Sequence, residues 1–305
     1  VGDVNGDGLG DIVIGETVTR FLAGTGSFAL RNLLEDGTAD PNLAYVVYGK
    51  KDNNVVQLAN VATDYNEQGF AITRPSRKLF SDWYYGAQVL PTGDFNSDGL
   101  TDFIVSHGLF VDTSGTSYVV HGRIGGEAIK YNNIYKDEHG IKITPEGSGN
   151  YGFDFGDATL DALPSFTTSH VGDVNADGVD DIALLLTDTG CCSGIDHPRA
   201  YILFGGVDVA DEINLADIAN GNGGFVIHND ASNIDHSDLQ VILGSIGGAG
   251  DLNGDGFDDI IIGDPFAEDN KGRVYAVYGR AGTEPVYLSE IIETQQGFYS
   301  EGNGG

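Results

Sequence analysis

Short apolar runs bounded by glycine and aspartate recur along the chain in a fixed order. The first kind of run follows a segment rich in aspartate, asparagine and glycine, and it occupies residues 12–14, 103–105, 182–185 and 260–262. The second kind ends in a ring-bearing residue followed by glycine, at 44–49, 117–122, 200–205 and 273–279. The third kind begins with glycine, at 69–72, 140–143, 224–227 and 297–298. Apolar runs of this length between turn-forming residues predict buried β-strands.

The repeat period is about 80 residues, which leaves room for one more strand ahead of the second, third and fourth aspartate-rich segments. These strands are expected near residues 86–90, 166–171 and 241–246. Tandem units of four strands are typical of β-propeller blades, because radial repetition leaves only short strand edges unpaired. We therefore predict an all-β fold in which residues 1–305 form a single β-propeller segment of four four-stranded blades, with units at approximately 1–85, 86–165, 166–240 and 241–305.

The charge balance narrows the class of partner. The 305 residues include 46 Asp and Glu but only 15 Lys and Arg, which gives a formal net charge of −31. A surface of this sign repels nucleic-acid phosphates and anionic lipid headgroups, so we expect no nucleic-acid partner. No apolar run approaches the roughly 20 residues needed to span a bilayer, so we expect no membrane insertion.

The four aspartate-rich segments share one pattern of oxygen-bearing side chains. Counted from the first aspartate, these side chains occupy positions 1, 3, 5 and 9, with glycine at position 6 and an apolar residue at position 7 that offers its backbone carbonyl. Calcium prefers about six to eight oxygen ligands in adaptable geometry, whereas zinc prefers nitrogen or sulfur. The sequence therefore predicts four Ca²⁺ sites. Their ligands are Asp3, Asn5, Asp7, Leu9 and Asp11 in loop 1; Asp94, Asn96, Asp98, Leu100 and Asp102 in loop 2; Asp173, Asn175, Asp177, Val179 and Asp181 in loop 3; and Asp251, Asn253, Asp255, Phe257 and Asp259 in loop 4.

A helical EF-hand shares the opening of this pattern but requires a bidentate glutamate at position 12. This chain has apolar residues there, namely Ile14, Val105, Leu184 and Ile262. The aspartate at position 9 must therefore close each site before the chain enters a strand. One copy of such a cluster could be a simple turn, but four copies in register favour metal loops whose role is structural.

With its following β-run and its Tyr-Val-x-Tyr-Gly-like strand, the pattern Gly-Asp-x-Asn-x-Asp-Gly-x-x-Asp resembles the FG-GAP repeat of integrin α-subunit propellers and of many secreted bacterial proteins. The resemblance covers essentially the whole chain. It implies an extracellular or cell-surface location and a propeller that is part of a larger ring. The sequence opens at loop 1, so the first blade is expected to lack its innermost strand and to be completed by further blades or by another chain.

These features favour a secreted calcium-binding propeller that binds a protein or glycan in adhesion or surface assembly. The alternative is a non-catalytic scaffold of a larger secreted enzyme. The chain carries no nucleophile-elbow or zinc-protease motif, so we predict that it is not itself an enzyme. The adjacent Cys191 and Cys192 are open to two interpretations, as small buried hydrophobic residues or as a vicinal disulfide.

A protein or glycan ligand is expected on the face opposite the calcium loops, where the variable loops gather. One of these connections holds the only tryptophan within a basic and aromatic cluster, and aromatic and arginine side chains supply most binding hot spots. The candidate ligand-binding residues are Arg74, Arg77, Trp83, Tyr84 and Tyr85. The competing interpretation is that Trp83 and its neighbours pack between blades.

Overall fold

The fold comes from a computed structural model that describes residues 1–15, 42–61, 67–73, 87–107, 116–144, 165–187, 199–230, 244–265 and 267–302. In chain order its strands are β1 (Ile12–Gly15), β2 (Asn42–Val47), β3 (Gly69–Thr73), β4 (Ala87–Gly93), β5 (Asp102–His107), β6 (Ser117–Val120), β7 (Ile129–Lys130), β8 (Gly140–Thr144), β9 (Ser165–Gly172), β10 (Asp181–Thr187), β11 (Arg199–Leu203), β12 (Glu212–Asn214), β13 (Gly224–His228), β14 (Ser245–Gly250), β15 (Asp259–Asp264), β16 (Arg273–Val277), β17 (Val286–Tyr287) and β18 (Gly297–Glu301). The helices are short: α1 (Leu58–Val61), α2 (Leu215–Ala219), α3 (Ala267–Asn270) and a 3-10 turn at Tyr131–Asn133.

The strands form four sheets of four or five strands, one for each sequence repeat. Their strand orders are β1-β2-β3-β7, β12-β8-β6-β5-β4, β17-β13-β11-β10-β9 and β14-β15-β16-β18. The all-β prediction is confirmed. Strands occur at each run expected from the sequence, although the additional strand of the fourth repeat lies at Ser245–Gly250, slightly later than residues 241–246.

Central strands are buried on both faces, which explains why they are continuous apolar runs and do not alternate with polar residues. In β10, the side chains of Ile182, Ala183, Leu184 and Leu185 are all buried, and their backbones pair with β9 and β11. In β15, by contrast, Ile260 and Ile262 are buried while Ile261 between them is exposed. One face of the fourth sheet is therefore packed and the other is open.

Each of the first three sheets ends in a strand of two or three residues supplied by the next repeat. β7 pairs in parallel with β3, β17 pairs in parallel with β13, and β12 lies beside β8. These short strands cover a sheet edge that would otherwise expose unpaired N–H and C=O groups. Sequence patterns did not predict them, because two residues carry no periodicity.

The chain divides into two compact units. Unit 1 comprises residues 1–91, 99–144 and 210–213, and unit 2 comprises residues 92–98, 145–209 and 214–305. The core of unit 1 joins the first two sheets through residues such as Val46, Phe70 and Phe103. The core of unit 2 joins the third and fourth sheets through residues such as Phe225 and Ile260. Within the described ranges, no helix is long and apolar enough to cross a membrane.

Candidate metal centres

Three of the four aspartate-rich loops connect two strands of one sheet, and the first precedes a strand. Loop 2 (94–102) joins β4 to β5, loop 3 (173–181) joins β9 to β10, loop 4 (251–259) joins β14 to β15, and loop 1 (3–11) precedes β1. The two strands that flank a loop are antiparallel neighbours, so the other ends of both strands lie at the end of the sheet opposite the loop.

All four loops use the left-handed backbone region at positions 4 and 6. The glycines at position 6, Gly8, Gly99, Gly178 and Gly256, have φ between 82° and 92°. A Cβ atom there would meet nothing within 4 Å, so the glycine is required by the backbone conformation and not by lack of space. Position 4 holds glycine in loops 1 and 4 but Ser97 and Ala176 in the others, at φ of 59° and 57°. The four loops therefore share one backbone path despite different residues.

The side chains at positions 1, 3 and 5 converge on N–H groups of their own loop. In loop 3, the N–H of Asp177 donates to Asp173 Oδ1 at 3.0 Å and to Asn175 Oδ1 at 2.9 Å. The N–H of Gly178 donates to Asp173 Oδ2 at 2.8 Å, and the N–H of Val179 donates to Asp177 Oδ1 at 2.9 Å. The same bonds occur in loops 1 and 4, and the position 5 N–H of loop 2 has the same two acceptors. Two side-chain oxygens thus meet at one electropositive group in every loop.

The aspartate at position 9 has a different role. Asp181 is buried, and its two oxygens accept the N–H of Val174 at 2.9 Å and the N–H of Gly205 at 2.8 Å. Gly205 lies two residues beyond the end of β11, the second strand of the repeat, so the carboxylate ties the loop to the segment that follows that strand. The equivalent aspartates accept from Gly49, Gly122 and Gly279 at 2.7, 2.8 and 2.9 Å. The sequence identified this aspartate only as a ligand, and the recurring glycine after the second strand was the signal for its second role.

Burial changes the ionisation of these closing aspartates. Desolvation raises the pKa of Asp181 to about 7, and it also raises the pKa of Asp11 and of Asp259. The N–H groups that donate to each carboxylate oppose this shift but do not cancel it. At position 1 of loop 4 the direction is reversed, because the N–H of Gly256 and other loop N–H groups lower the pKa of the exposed Asp251. In loop 4, the exposed Asp251 is therefore favoured as the anion, whereas burial disfavours ionisation of Asp259.

The donor set of each loop fits a hard cation. It consists of three carboxylates, one amide oxygen and a backbone carbonyl, with no nitrogen or sulfur ligand. In the part of the chain that the structure describes, no group of three or more His, Cys, Asp or Glu side chains is arranged to hold a metal ion. The oxygens at positions 1, 3 and 5 accept N–H groups of their own loop. In loop 3, the oxygens of the position 9 aspartate accept the N–H of loop position 2 and the N–H of the glycine beyond the second strand. The twenty predicted ligands consequently remain a prediction, with a donor chemistry that suits Ca²⁺.

The candidate ligand-binding residues Arg74, Arg77, Trp83, Tyr84 and Tyr85 lie outside the described residues. The same is true of Cys191 and Cys192. The ligand face predicted from the sequence is therefore carried forward as a proposal.

Comparison with known proteins identifies the repeat. Residues 243–277, which span β14, loop 4, β15 and most of β16, match the FG-GAP repeat. Residues 243–277 thus match one FG-GAP repeat, and the chain is similar to integrin alpha subunits. It is 27% identical to integrin alpha-V of Gallus gallus over 280 residues, which is 90% of this chain and 22% of that protein. It is also 29% identical to integrin alpha pat-2 of Caenorhabditis briggsae over 210 residues, or 67% of this chain and 15% of that protein.

Integrin alpha pat-2 of Caenorhabditis elegans gives a similar result, with 29% identity over 62% of this chain and 13% of that protein. The resemblance to FG-GAP repeats and integrin α subunits that was predicted from the four motifs and their strands is therefore confirmed. The chain spans at most about a fifth of the length of these relatives.

Substitution of two aspartates in loop 3, Asp181 and Asp177, should separate the structural role of the loop from metal binding. We expect Asp181→Ala to lower stability by about 2 kcal/mol or more with or without calcium, because two buried N–H groups lose their acceptors. Asp177→Ala removes an exposed carboxylate, so it should cost less than about 1 kcal/mol in chelator but abolish part of the stabilisation by calcium. Denaturant unfolding with chelator and with added calcium measures both. Equal losses for the two variants under both conditions would contradict this assignment.

The pH dependence of the metal-free chain follows from the raised pKa of Asp181. A folded-state pKa above the unfolded value of about 3.9 means that the native state binds the proton more tightly, so stability is lost as pH rises towards about 7. His139, whose pKa is lowered by burial, acts in the opposite direction as pH falls through its titration. In chelator we therefore expect a lower melting temperature at pH 8 than at pH 5, and Asp181→Asn should flatten the difference. Calcium should reverse the trend, since its ligands must be deprotonated. A metal-free melting temperature that rises steadily with pH in both proteins would refute the expectation.

Proposed function

We propose that this chain is a calcium-stabilised β-propeller segment that acts outside the cell and binds a protein or glycan in adhesion or surface assembly. The observation that carries the proposal is the fourfold repetition of one loop with the same oxygen-bearing side chains at positions 1, 3, 5 and 9. Similarity to integrin alpha subunits supports both the repeat type and the adhesive role. The four sheets are its four blades, and further blades or another chain complete the ring.

Calcium is the proposed cofactor, with one ion in each loop. Positions 1, 3, 5 and 9 supply side-chain oxygens and position 7 supplies its carbonyl. Repulsion among three carboxylates in each metal-free loop is the physical reason that an ion should stabilise the fold. The ion would act as a structural element that fixes the turn between two strands, and the proposed role is binding and not catalysis.

The ligand is proposed to bind at the ends of the sheets opposite the calcium loops. β4, β9 and β14 begin at that end of their sheets, and β5, β10 and β15 finish there. The connection that contains Trp83 and Tyr84 leads directly into the start of β4. A rigid sheet that ends in variable connections is a common arrangement for recognition, and the strongly acidic chain makes this local group of Arg74, Arg77 and aromatic residues the favoured contact.

The double variant Trp83→Ala/Tyr84→Ala tests this proposal. It should reduce binding to a glycan array or to a panel of purified extracellular-matrix proteins by at least about tenfold, because hot-spot aromatic residues contribute most of the binding energy. Tyr287→Ala removes an exposed aromatic ring from β17 and serves as the matched control that should leave binding unchanged.

Binding should be measured together with the melting temperature in calcium. A large loss of melting temperature without a selective loss of binding would show that Trp83 and Tyr84 are packing residues. A wild-type chain that binds neither panel in calcium would contradict the adhesive function itself.

A further inference from the structure

Five asparagines of the chain are followed directly by glycine, at residues 5–6, 220–221, 222–223, 253–254 and 303–304. In such a pair the backbone nitrogen of the glycine can attack the side-chain carbonyl carbon of the asparagine, because glycine has no Cβ to hinder the approach. Hydrogen bonds that hold the carboxamide or the glycine N–H oppose this reaction, since both groups must move together. The structure therefore separates the pairs by their hydrogen bonds, except for the last pair, which lies outside the described residues.

The two pairs within the aspartate-rich loops are held at both reacting groups. In loop 4, the N–H of Gly254 donates to Asp251 Oδ1 at 2.7 Å. The carboxamide of Asn253 accepts the N–H of Asp255 at 2.9 Å and donates to Asp255 Oδ2 at 2.8 Å. The corresponding pair of loop 1 makes the same three bonds, at 2.7, 3.0 and 3.2 Å. Attack within either loop would first have to break these bonds.

The pair that begins with Asn220 is held by the last turn of α2. Asn220 is the C-cap of this helix, and its Nδ2 donates to the carbonyl of Ala216 at 2.7 Å. The N–H of Gly221 donates to the carbonyl of Ile218 at 2.9 Å. Both reacting groups are thus bonded to carbonyls of the helix, which restrains each of them.

The pair formed by Asn222 and Gly223 is the exception. Both residues are exposed, and within the described ranges neither the carboxamide of Asn222 nor the N–H of Gly223 makes a hydrogen bond. Gly223 lies in the left-handed region at φ 81°, and a Cβ there would meet no atom closer than Ile218 at 3.7 Å. The carboxamide can therefore approach the glycine nitrogen without breaking a hydrogen bond or displacing a neighbour.

We propose that Asn222 is a site of spontaneous deamidation in the folded chain, and that the other three pairs of the described residues are protected by their hydrogen bonds. The backbone nitrogen of Gly223 forms a bond to Asn222 Cγ, and the carboxamide nitrogen leaves as ammonia with the proton of the Gly223 N–H. One water molecule then opens the succinimide ring and gives aspartate or isoaspartate at position 222. The net reaction exchanges an amide and water for an acid and ammonia, so it needs no oxidant or cofactor.

Isoaspartate at position 222 alters the main chain just before β13, because it places an additional methylene group in the backbone ahead of Gly223. The carbonyl of Gly223 accepts the N–H of Phe204 at 3.0 Å, and Gly224 pairs with Leu203 of β11. A Cβ on Gly224 would collide with the carbonyl of Ile202, so the start of β13 has no room to shift. Isoaspartate therefore weakens the pairing of β13 with β11, whereas aspartate adds only a charge.

Comparison of the pairs within one chain tests the proposal. The full chain is incubated in mildly alkaline buffer with calcium, and a second sample is incubated in urea to give the intrinsic rate of each pair. Peptide mass spectrometry measures the deamidated fraction at each asparagine over time. In the folded chain, we expect the rate at Asn222 to stay within about threefold of its rate in urea, and the rates at the other three described pairs to fall by at least about tenfold, as local structure requires.

The variant Asn222→Gln is the matched control, because its longer side chain keeps the carboxamide but does not readily form the succinimide ring. Aged wild-type chain should contain an isoaspartate peptide, which chromatography separates from the aspartate form. Its melting temperature should be several degrees below that of fresh protein. The aged variant should keep the melting temperature of its fresh sample.

Two results would overturn the proposal. One is protection of Asn222 in the folded chain as strong as that of the other three pairs, and the second is deamidation of one of those pairs as fast as at Asn222. An unchanged melting temperature of protein that contains isoaspartate would overturn the effect on β13. These readouts need no adhesion ligand, so their outcome is independent of the proposed function.

Discussion

The repeat depends on one buried carboxylate, the aspartate that closes each loop. Its two oxygens accept one N–H from the loop and one from the glycine just beyond the second strand, as Asp181 does with Val174 and Gly205. A single side chain thereby sets the distance between the loop and two neighbouring strands. Burial raises its pKa, so the anion that the loop needs is held at an energetic cost when no cation is present. A bound cation would remove that cost, which links the sheet geometry to the proposed calcium site.

The same loops also join each repeat to the next. The carbonyls of Asp3 and Asp173 accept N–H groups from position 8 of the following repeat, and the opening glycine leaves space for that approach. These contacts between repeats explain why the glycine before position 1 recurs with the motif although it offers no side-chain oxygen to a metal. It also means that a change at one loop, whether of metal or of side chain, should be felt by the neighbouring loop within the same unit.

Much of this fold could be predicted from the sequence because its strands are buried on both faces. Runs such as 182–185 have no polar interruption, and the surrounding glycine and aspartate mark where each run ends. The two-residue strands β7 and β17 could not be predicted, since their pairing depends on tertiary position and not on pattern. The oxygen spacing predicted the donor set of each loop. It could not predict that Asp181 also binds Gly205, because that contact joins residues far apart in sequence.

Calcium titration by isothermal calorimetry, combined with the melting temperature of the same samples, tests whether the four loops bind calcium and whether the bound ions stabilise the fold. We expect about four calcium ions bound per chain and a higher melting temperature, with roughly 2.7 kcal/mol of stabilisation per site when free calcium is about 100 times the dissociation constant. Magnesium at the same concentration should bind more weakly, because adaptable oxygen ligands favour calcium. Absence of binding heat together with an unchanged melting temperature in calcium and in chelator would contradict the account.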